Sequence, residues 1–357
     1  MVLQQRPDRG CRDQFSGRGL VAAKANQDKT VLDGIDLDTA GPESPRRPSR
    51  CAGAPPTATW RKGLIHDSHP QRPRASQTLR RARTDPSKNG KETMTIEQSA
   101  WTGMVPVDDT ALYVRDTGGR GRPVVYLNGA YADQSHWRRV ITDLGSDYRH
   151  ITYDERARGK SKRSADYSFA ACLRDVDAVL KARGVDQPLL VGWSLGGILA
   201  WHWADRNPDR VLGVVCVDAF PVGVTGEAGH EQIRKMFRRW RLLFPIAARL
   251  GLAARMTADQ HAEVNIEGNE IAAASVPVLD RVTCPVWFVL ATGDSLGTKD
   301  GEMEQGRATL DPVLARNPNL KVSAKVASNH TKILRNDSPA VAQTVRELAA
   351  SLGHVVG

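Results

Sequence analysis

One segment near the middle of the chain, residues 189–200, constrains the fold more than any other. It starts as an apolar run, passes through a Gly-x-Ser-x-Gly sequence centred on Ser194, and continues with apolar residues at helical spacing. A buried strand that turns sharply into a helix needs glycines beside the turn, because larger side chains at Gly192 and Gly196 would collide with the strand or the helix. The segment therefore predicts a serine held on a tight turn, the geometry that a serine nucleophile requires.

Strand and helix patterns alternate along the chain from about residue 100. Short apolar runs predict strands at 105–107, 112–115, 123–127, 150–153, 189–192, 211–217, 286–290 and 321–326. Longer segments with apolar residues at helical spacing predict helices at 137–144, 169–183, 197–206, 302–315 and 338–352. Such alternation predicts an α/β fold, a mostly parallel eight-stranded sheet with helices on both faces.

The first 93 residues differ in composition from the rest of the chain. They contain 18 Lys and Arg against 10 Asp and Glu, so they hold most of the net charge of +10. Because they are rich in Arg, Pro, Ser and Gly and show no sustained periodicity, we expect a disordered basic leader. Because the basic residues are scattered, we expect a solvated tail rather than an arm that binds nucleic acid or a membrane surface. Another interpretation is that the start is assigned too early and that Met94 is the true start. Residues 94–357 then form one domain.

The cysteine pattern and the absence of targeting signals bear on the compartment and the partners. Five cysteines, none in a Cys-x-x-Cys pair, are typical of unpaired thiols in a reducing compartment. The sequence lacks a secretory signal and an uninterrupted apolar stretch of roughly 18 to 20 residues. We expect a cytoplasmic protein with no cofactor, no metal, and no nucleic-acid or membrane partner. The oligomeric state is left open.

The groups that would assist Ser194 follow predicted strands. The turn Asn128-Gly129-Ala130 comes directly after the strand 123–127, and the N–H groups of Ala130 and Leu195 are predicted to form an oxyanion hole. His330 is the one histidine of nine that lies between the last strand and the last helix. Loops at the carboxyl edge of a parallel sheet are where catalytic groups gather, so His330 is the predicted base.

Two aspartates are candidates for the acid that orients His330. Asp294 lies just beyond the predicted strand 286–290, and Asp218 ends the strand 211–217. A buried carboxylate is needed there to fix the imidazole tautomer and to stabilise the imidazolium that forms when Ser194 loses its proton. Position alone leaves both candidates open.

These segments resemble the motifs of the α/β-hydrolase fold family over residues 100–352. The matching segments are the turn 128–130, residues 153–161 (Tyr-Asp-Glu-Arg-Ala-Arg-Gly-Lys-Ser), the Gly-x-Ser-x-Gly sequence, Asp294 and Asn329-His330. The resemblance implies the chain order nucleophile, acid, histidine. Counting nine residues on from Pro285, as in family members, reaches Asp294 and favours it as the acid, whereas in some relatives the acid follows the earlier strand, as Asp218 does.

Three positions depart from the family pattern. Asn128 replaces the usual His, Asn329 replaces a Gly, and Ala291 stands where another Gly is expected.

The resemblance implies a cofactor-free serine hydrolase of the esterase, lactonase or perhydrolase-like branch. It would cleave a carboxylic ester or lactone through an acyl-enzyme on Ser194. Haloalkane dehalogenases and epoxide hydrolases of this fold use an aspartate nucleophile, so the serine excludes both. Perhydrolases, amidases, carbon-carbon bond hydrolases and carrier-protein methyl ester esterases share the triad, and fold alone does not separate them. A non-catalytic or weakly catalytic ligand-binding protein is the alternative from another class.

An insertion at about 222–281 is predicted to be a small helical lid ahead of the strand 286–290. Its residues Ile233, Phe237, Trp240 and Phe244 share one helical face. This face either roofs an acyl pocket or packs the lid onto the body of the domain, and the pattern favours neither. Arg234, Lys235, Arg238, Arg239 and Arg241 form a basic face, which is either solvated or binds an acidic carrier.

Overall fold

A mixed, mostly parallel sheet organises the protein in the computed structural model, which describes residues 99–249, 253–293 and 301–353. Its strands are β1 (Trp101–Val107), β2 (Thr110–Asp116), β3 (Arg122–Leu127), β4 (Tyr148–Tyr153), β5 (Leu189–Trp193), β6 (Gly213–Val217), β7 (Val286–Ala291) and β8 (Leu320–Val326). The spatial order is β1-β2-β4-β3-β5-β6-β7-β8. The β1–β2 and β2–β4 pairs are antiparallel and the other five are parallel. The predicted α/β fold is confirmed. The predicted leader, residues 1–93, lies outside the described residues.

Helices connect the strands and cover the sheet. They are α1 (Arg138–Leu144), α2 (Phe169–Arg183), α3 (Leu195–Arg206), α4 (Gly226–Arg239), α5 (Phe244–Arg249), α6 (Ala258–Ala273), α7 (Val276–Arg281), α8 (Glu302–Ala308), α9 (Asp311–Arg316), α10 (Ile333–Asn336) and α11 (Ser338–Ser351). The single helix predicted over 302–315 is two, α8 and α9. Pro312, which cannot donate to a preceding helical turn, lies in the first turn of α9. Within the described residues, no helix has the length and apolar character needed to cross a membrane.

Two apolar clusters explain why the central strands are apolar throughout. Successive strand side chains point to opposite faces, so a strand buried on both sides needs apolar residues at every position. In β5, Leu190 belongs to the cluster under α2 and α3, whereas Val191 belongs to the cluster under α1 and α11. The helices α4, α5 and α6 contribute to a third, separate cluster within the insertion that links β6 to β7.

A buried ion pair fixes the loop that follows β4, residues 154–161. The Arg156 guanidinium donates to Asp175 on α2, with Nε at 3.0 Å and Nη2 at 2.7 Å, and to Asp108 in the β1–β2 turn at 2.7 Å. Arg156 and Asp175 are both buried. Burial raises the pKa of Asp175 to about 6, against the lowering effect of the Arg156 hydrogen bonds. The pair therefore ties this loop to a helix and to the edge hairpin.

Replacing Arg156 is expected to destabilise the protein strongly. Arg156→Met leaves the Asp175 carboxyl buried without its partner, so the free energy of unfolding should fall by about 3 to 5 kcal/mol in urea titrations. The matched control is Arg174→Met, since Arg174 also bonds to Asp108 but its side chain is 46% exposed. The free energy of unfolding of this variant should fall far less. Equal losses in the two variants would contradict a special role of the buried pair.

Candidate active site

Ser194 lies on the sharp turn between β5 and α3. Its backbone has φ +54° and ψ −120°, a conformation that costs energy in an L-residue, and its N–H donates to Val217 O of β6 at 3.0 Å. A Cβ at Gly192 would overlap the Gly196 backbone, and a Cβ at Gly196 would overlap the carbonyl of Leu127. The predicted need for glycine at both positions is confirmed. The turn is thus held by close backbone packing.

The imidazole of His330 lies between Ser194 and an aspartate. His330 follows β8, and its Nε2 is 3.0 Å from Ser194 Oγ while its Nδ1 is 2.8 Å from Asp218 Oδ2. The Trp193 indole donates to the His330 carbonyl at 3.1 Å. Asn329 Oδ1 accepts the Lys332 N–H at 3.0 Å, so the asparagine that replaces the family glycine caps the turn behind the histidine.

Asp218 ends β6 and is 1% exposed. Its Oδ1 accepts the Ala291 N–H and the Arg307 Nε–H, each at 3.0 Å, and its Oδ2 accepts from Arg307 Nη2 at 3.2 Å as well as contacting His330. Burial by itself would raise the pKa of Asp218. The hydrogen bonds from His330 and Arg307 outweigh it and hold the pKa below its ordinary value. The carboxylate is therefore ionised at neutral pH.

The structure thus pairs His330 with Asp218, in the position that Asp294 would have to occupy. Asp294, favoured by the count from Pro285, lies outside the described residues. The imidazole Nδ1 carries a single hydrogen, and the Asp218 contact uses it. Because β6 and β7 are parallel neighbours, their carboxyl ends lie at the same edge of the sheet, so the sequence alone could not separate an acid after one strand from an acid after the other.

Arg307 was not found from the sequence. It is buried on α8 and lies 89 residues from Asp218 along the chain. An arginine on a short helix has no local pattern that distinguishes it from a surface residue, so only the tertiary contact identifies its role.

The two predicted oxyanion donors, Ala130 in the turn after β3 and Leu195 at the start of α3, line the same cavity. Ala130 and Leu195 line, with Ser194, a cavity of about 200 Å³. A Cβ at Gly129 would press on the Trp193 ring, so only glycine fits there. The Leu195 N–H is the first of α3, where the helix dipole favours negative charge. The positions suit the binding of a developing oxyanion.

Asn128, which replaces the family histidine, anchors this turn. Its Oδ1 accepts the Trp137 indole N–H at 2.7 Å, and its Nδ2 donates to Tyr153 O at 2.8 Å and to Glu155 Oε2 at 2.9 Å. Its backbone N–H also donates to Glu155 at 3.2 Å. A buried amide with all its partners fixes the end of β3 and hence the direction of the following N–H groups.

One face of α6 forms the opposite wall of the cavity. The α6 residues on this wall, spaced at helical intervals, are His261, Val264, Asn265, Gly268, Asn269 and Ala272. The apolar face on α4 was expected to roof an acyl pocket or to pack onto the body of the domain, and the structure shows it packed mainly within the insertion. Ile233, Phe237 and Phe244 are buried against Ala262 and Ile266, and Trp240 packs at the edge of this cluster.

Several cations of the basic face on α4 are paired within the insertion. Arg234 bonds to Glu263 at 2.9 Å, and Arg238 bonds to Glu231 at 2.7 Å. Lys235 is 3.9 Å from the same Glu231 carboxylate. These pairs favour the interpretation of a solvated face over a carrier-binding face.

Comparison with known sequences and structures finds proteins and a family model that this chain resembles. A family model described as alpha/beta hydrolase fold matches residues 122–273. A haloalkane dehalogenase from Mesorhizobium japonicum is 32% identical over 140 residues, which is 38% of this chain and 45% of that protein. A pimeloyl-[acyl-carrier protein] methyl ester esterase from Edwardsiella ictaluri is 30% identical over 112 residues, 31% of this chain and 42% of that protein. The matched parts are thus less than half of these relatives.

A solved structure matches over a longer range. The thermophilic esterase from Thermogutta terrifontis aligns with a TM-score of 0.56 over 71% of this chain and 99% of its own, at 17% identity. At this identity the likeness is one of fold.

Arg307→Met is expected to destabilise the protein in a pH-dependent way. The Asp218 pKa is lowered in the folded state, so its contribution to stability is present above the unfolded value of about 3.9 and is lost as the pH falls below it. Without Arg307, the free energy of unfolding should drop by about 3 kcal/mol at pH 7 and by less near pH 3, as urea titrations would measure. A loss that is the same at both pH values would contradict this account, and Arg316→Met on the surface is the control.

Proposed function

We propose that this chain, of which residues 122–273 match a family model described as alpha/beta hydrolase fold, is a cofactor-free serine hydrolase that cleaves a carboxylic ester or lactone through an acyl-enzyme on Ser194. One observation carries the proposal: a continuous hydrogen-bonded path runs from Ser194 Oγ through His330 to the buried Asp218, with contacts of 3.0 and 2.8 Å. This is the arrangement that activates a serine hydroxyl.

The reaction follows from these contacts. His330 Nε2 takes the proton of Ser194 as Oγ attacks the substrate carbonyl carbon, and the N–H groups of Ala130 and Leu195 bind the oxygen as it becomes negative. The imidazolium then protonates the leaving alcohol. Water, deprotonated by the same imidazole, cleaves the acyl-enzyme, and Ser194 recovers its proton.

Asp218 is the acid in this proposal, with Arg307 as a positioning residue. Asp218 holds Nδ1–H of His330 and stabilises the imidazolium that forms twice in each turnover. Arg307 acts through Asp218, since its two hydrogen bonds keep the carboxylate ionised and fixed in direction.

The serine itself argues against the activities of the dehalogenase and epoxide hydrolase relatives. Attack of Ser194 on a saturated carbon would form an ether. An ether has no carbonyl that water can attack, so the enzyme could not be regenerated. Attack on an acyl carbon forms an ester, which the same oxyanion donors can help to hydrolyse.

A fluorophosphonate probe tests whether Ser194 is an activated nucleophile. The folded protein is expected to be labelled at one serine, and Ser194→Ala should not be labelled, as intact mass and peptide mapping would measure. The control is Ser351→Ala, which removes an exposed serine hydroxyl at the end of α11 and should be labelled like the wild type. Absence of labelling in the wild type would favour a non-catalytic ligand-binding protein.

Separate replacement of the two aspartates tests the acid. Asp218→Asn should lower kcat/KM for p-nitrophenyl acetate by roughly 10³- to 10⁴-fold, because the imidazole tautomer and the imidazolium lose their support. Asp294→Asn should remain within a few-fold of the wild type. The reverse pattern would assign the acid to Asp294.

A substrate panel separates the reactions that share this triad. Hydrolysis rates for short and long p-nitrophenyl esters, lactones and amides, and peracid formation with hydrogen peroxide, would rank esterase, lactonase, amidase and perhydrolase activity. We expect esters or lactones with short acyl groups to give the highest kcat/KM, because the cavity beside Ser194 is small.

A further inference from the structure

Arg158 brings a permanent charge to the cavity beside Ser194. It lies in the loop that follows β4, and its side chain is 11% exposed. Of the described residues that line the 200 Å³ cavity, Arg158 is the one with a permanent charge. The remaining lining is apolar or consists of polar groups such as Tyr131 and Asn265, whose side chains are hydrogen-bonded to each other at 2.9 Å. A largely buried cation is costly unless an anion or a hydrogen-bond acceptor compensates it, so its partners matter.

Only part of the Arg158 guanidinium is used by the protein. Its hydrogen bonds within the described residues all come from Nη1, which donates to Gly129 O at 2.9 Å and to Ala132 O at 3.4 Å. A guanidinium has five N–H groups, so those of Nε and Nη2 remain for another acceptor. The bonds to the turn after β3 also hold the guanidinium in a fixed place.

Among the described residues, the carboxylate nearest to Arg158 compensates its charge poorly. Glu155 Oε2 lies 3.8 Å from Arg158 Nη1, too far for a hydrogen bond, and the Glu155 oxygens accept from Asn128 instead. Burial raises the pKa of Glu155 to about 7, although Arg158 and Asn128 oppose the rise. Near neutral pH this carboxyl is therefore partly protonated and compensates the charge of Arg158 only in part.

Three other titratable groups of the described residues interact electrostatically with Arg158, and all three are neutral near pH 7. Burial lowers the pKa of His261 to about 4 and raises those of Tyr131 and Cys172 to about 12. None of these three groups supplies a negative charge. A buried cation is costly unless it is paired, so the cavity is suited to a ligand that brings an anion.

We propose that Arg158 binds a carboxylate of the substrate, so that the enzyme acts on short esters or lactones that carry a carboxylate a few bonds from the scissile carbonyl. The inference rests on the proposed serine hydrolase function. Guanidinium and carboxylate form paired, charge-assisted hydrogen bonds, and Arg158 offers Nε and Nη2 for them. The cavity lies below the roughly 300 Å³ at which pockets for drug-sized ligands begin, which favours a substrate of a few carbon atoms.

Pairs of substrates with the same shape, one with a carboxylate and one with a neutral amide, test whether the substrate charge matters. Monomethyl glutarate carries the carboxylate on the acyl half, and its primary amide, methyl 5-amino-5-oxopentanoate, has the same shape without the charge. A second pair, 4-acetoxybutanoate and its primary amide, carries the group on the alcohol half. Methanol or acetate release gives kcat/KM for each, and the ratio of acid to amide within a pair is the readout.

The wild type is expected to prefer the acid in one of the two pairs. Arg158→Met should reduce that ratio by roughly 10- to 100-fold. Arg158→Lys keeps the charge but loses the paired geometry, so its ratio should lie between those of the wild type and Arg158→Met. Damage to the turn that Arg158 supports affects acid and amide alike and cancels in the ratio. Arg316→Met, an equal change of charge on the exposed face of α9, should leave the ratio unchanged.

The outcomes separate the inference from the proposed function. Ser194-dependent hydrolysis with no acid preference in either pair, or a preference that survives in Arg158→Met, overturns the carboxylate site and leaves the serine hydrolase intact. A ratio that falls equally in Arg316→Met assigns the effect to net charge and also overturns it. Failure to hydrolyse p-nitrophenyl esters, lactones or either pair overturns the proposed function and the inference together.

Discussion

The buried carboxylate of Asp218 accepts hydrogen bonds from three separate parts of the chain. These are the Ala291 amide of β7, the Arg307 guanidinium of α8 and the His330 imidazole in the loop after β8. An unpaired carboxylate at this depth would take up a proton or disrupt the fold, so each partner is needed for the others to keep their places. The position of the imidazole beside Ser194 thus depends on contacts of Asp218 with residues that do not line the cavity.

Local sequence pattern explains how several candidate site residues can be located without the structure. The strand, the turn and the helix around Ser194 lie within one short segment, and the turn at Ala130 directly follows a buried strand, so periodicity and glycine placement locate both. His330 was found by its place between the last strand and the last helix. These features need no knowledge of which strands are neighbours.

The partners of His330 depend on tertiary contacts, and there the sequence was less informative. The count from Pro285 measures distance along β7, whereas the acid that contacts His330 comes from β6. Arg307 reaches the same carboxylate from a helix with no distinctive pattern. The helix predicted over 302–315 divides ahead of Pro312. Likewise, periodicity on α4 indicated that a face is buried but not against what, and the answer is α6.

The separate apolar cluster of the insertion makes it a packing unit in its own right. The buried residues of this cluster are Ile233, Phe237, Phe244, Ala262 and Ile266, whereas Ala272 at the end of α6 and Val278 and Leu279 of α7 belong to a cluster of the sheet. The face of α6 that includes Gly268 lines the cavity, and a methyl group added at Gly268 would meet a Leu195 side-chain carbon at 3.4 Å, an ordinary contact distance. Natural variation or directed evolution can therefore reshape the cavity on this face of α6 without changing the residues of the serine turn or the partners of Asp218.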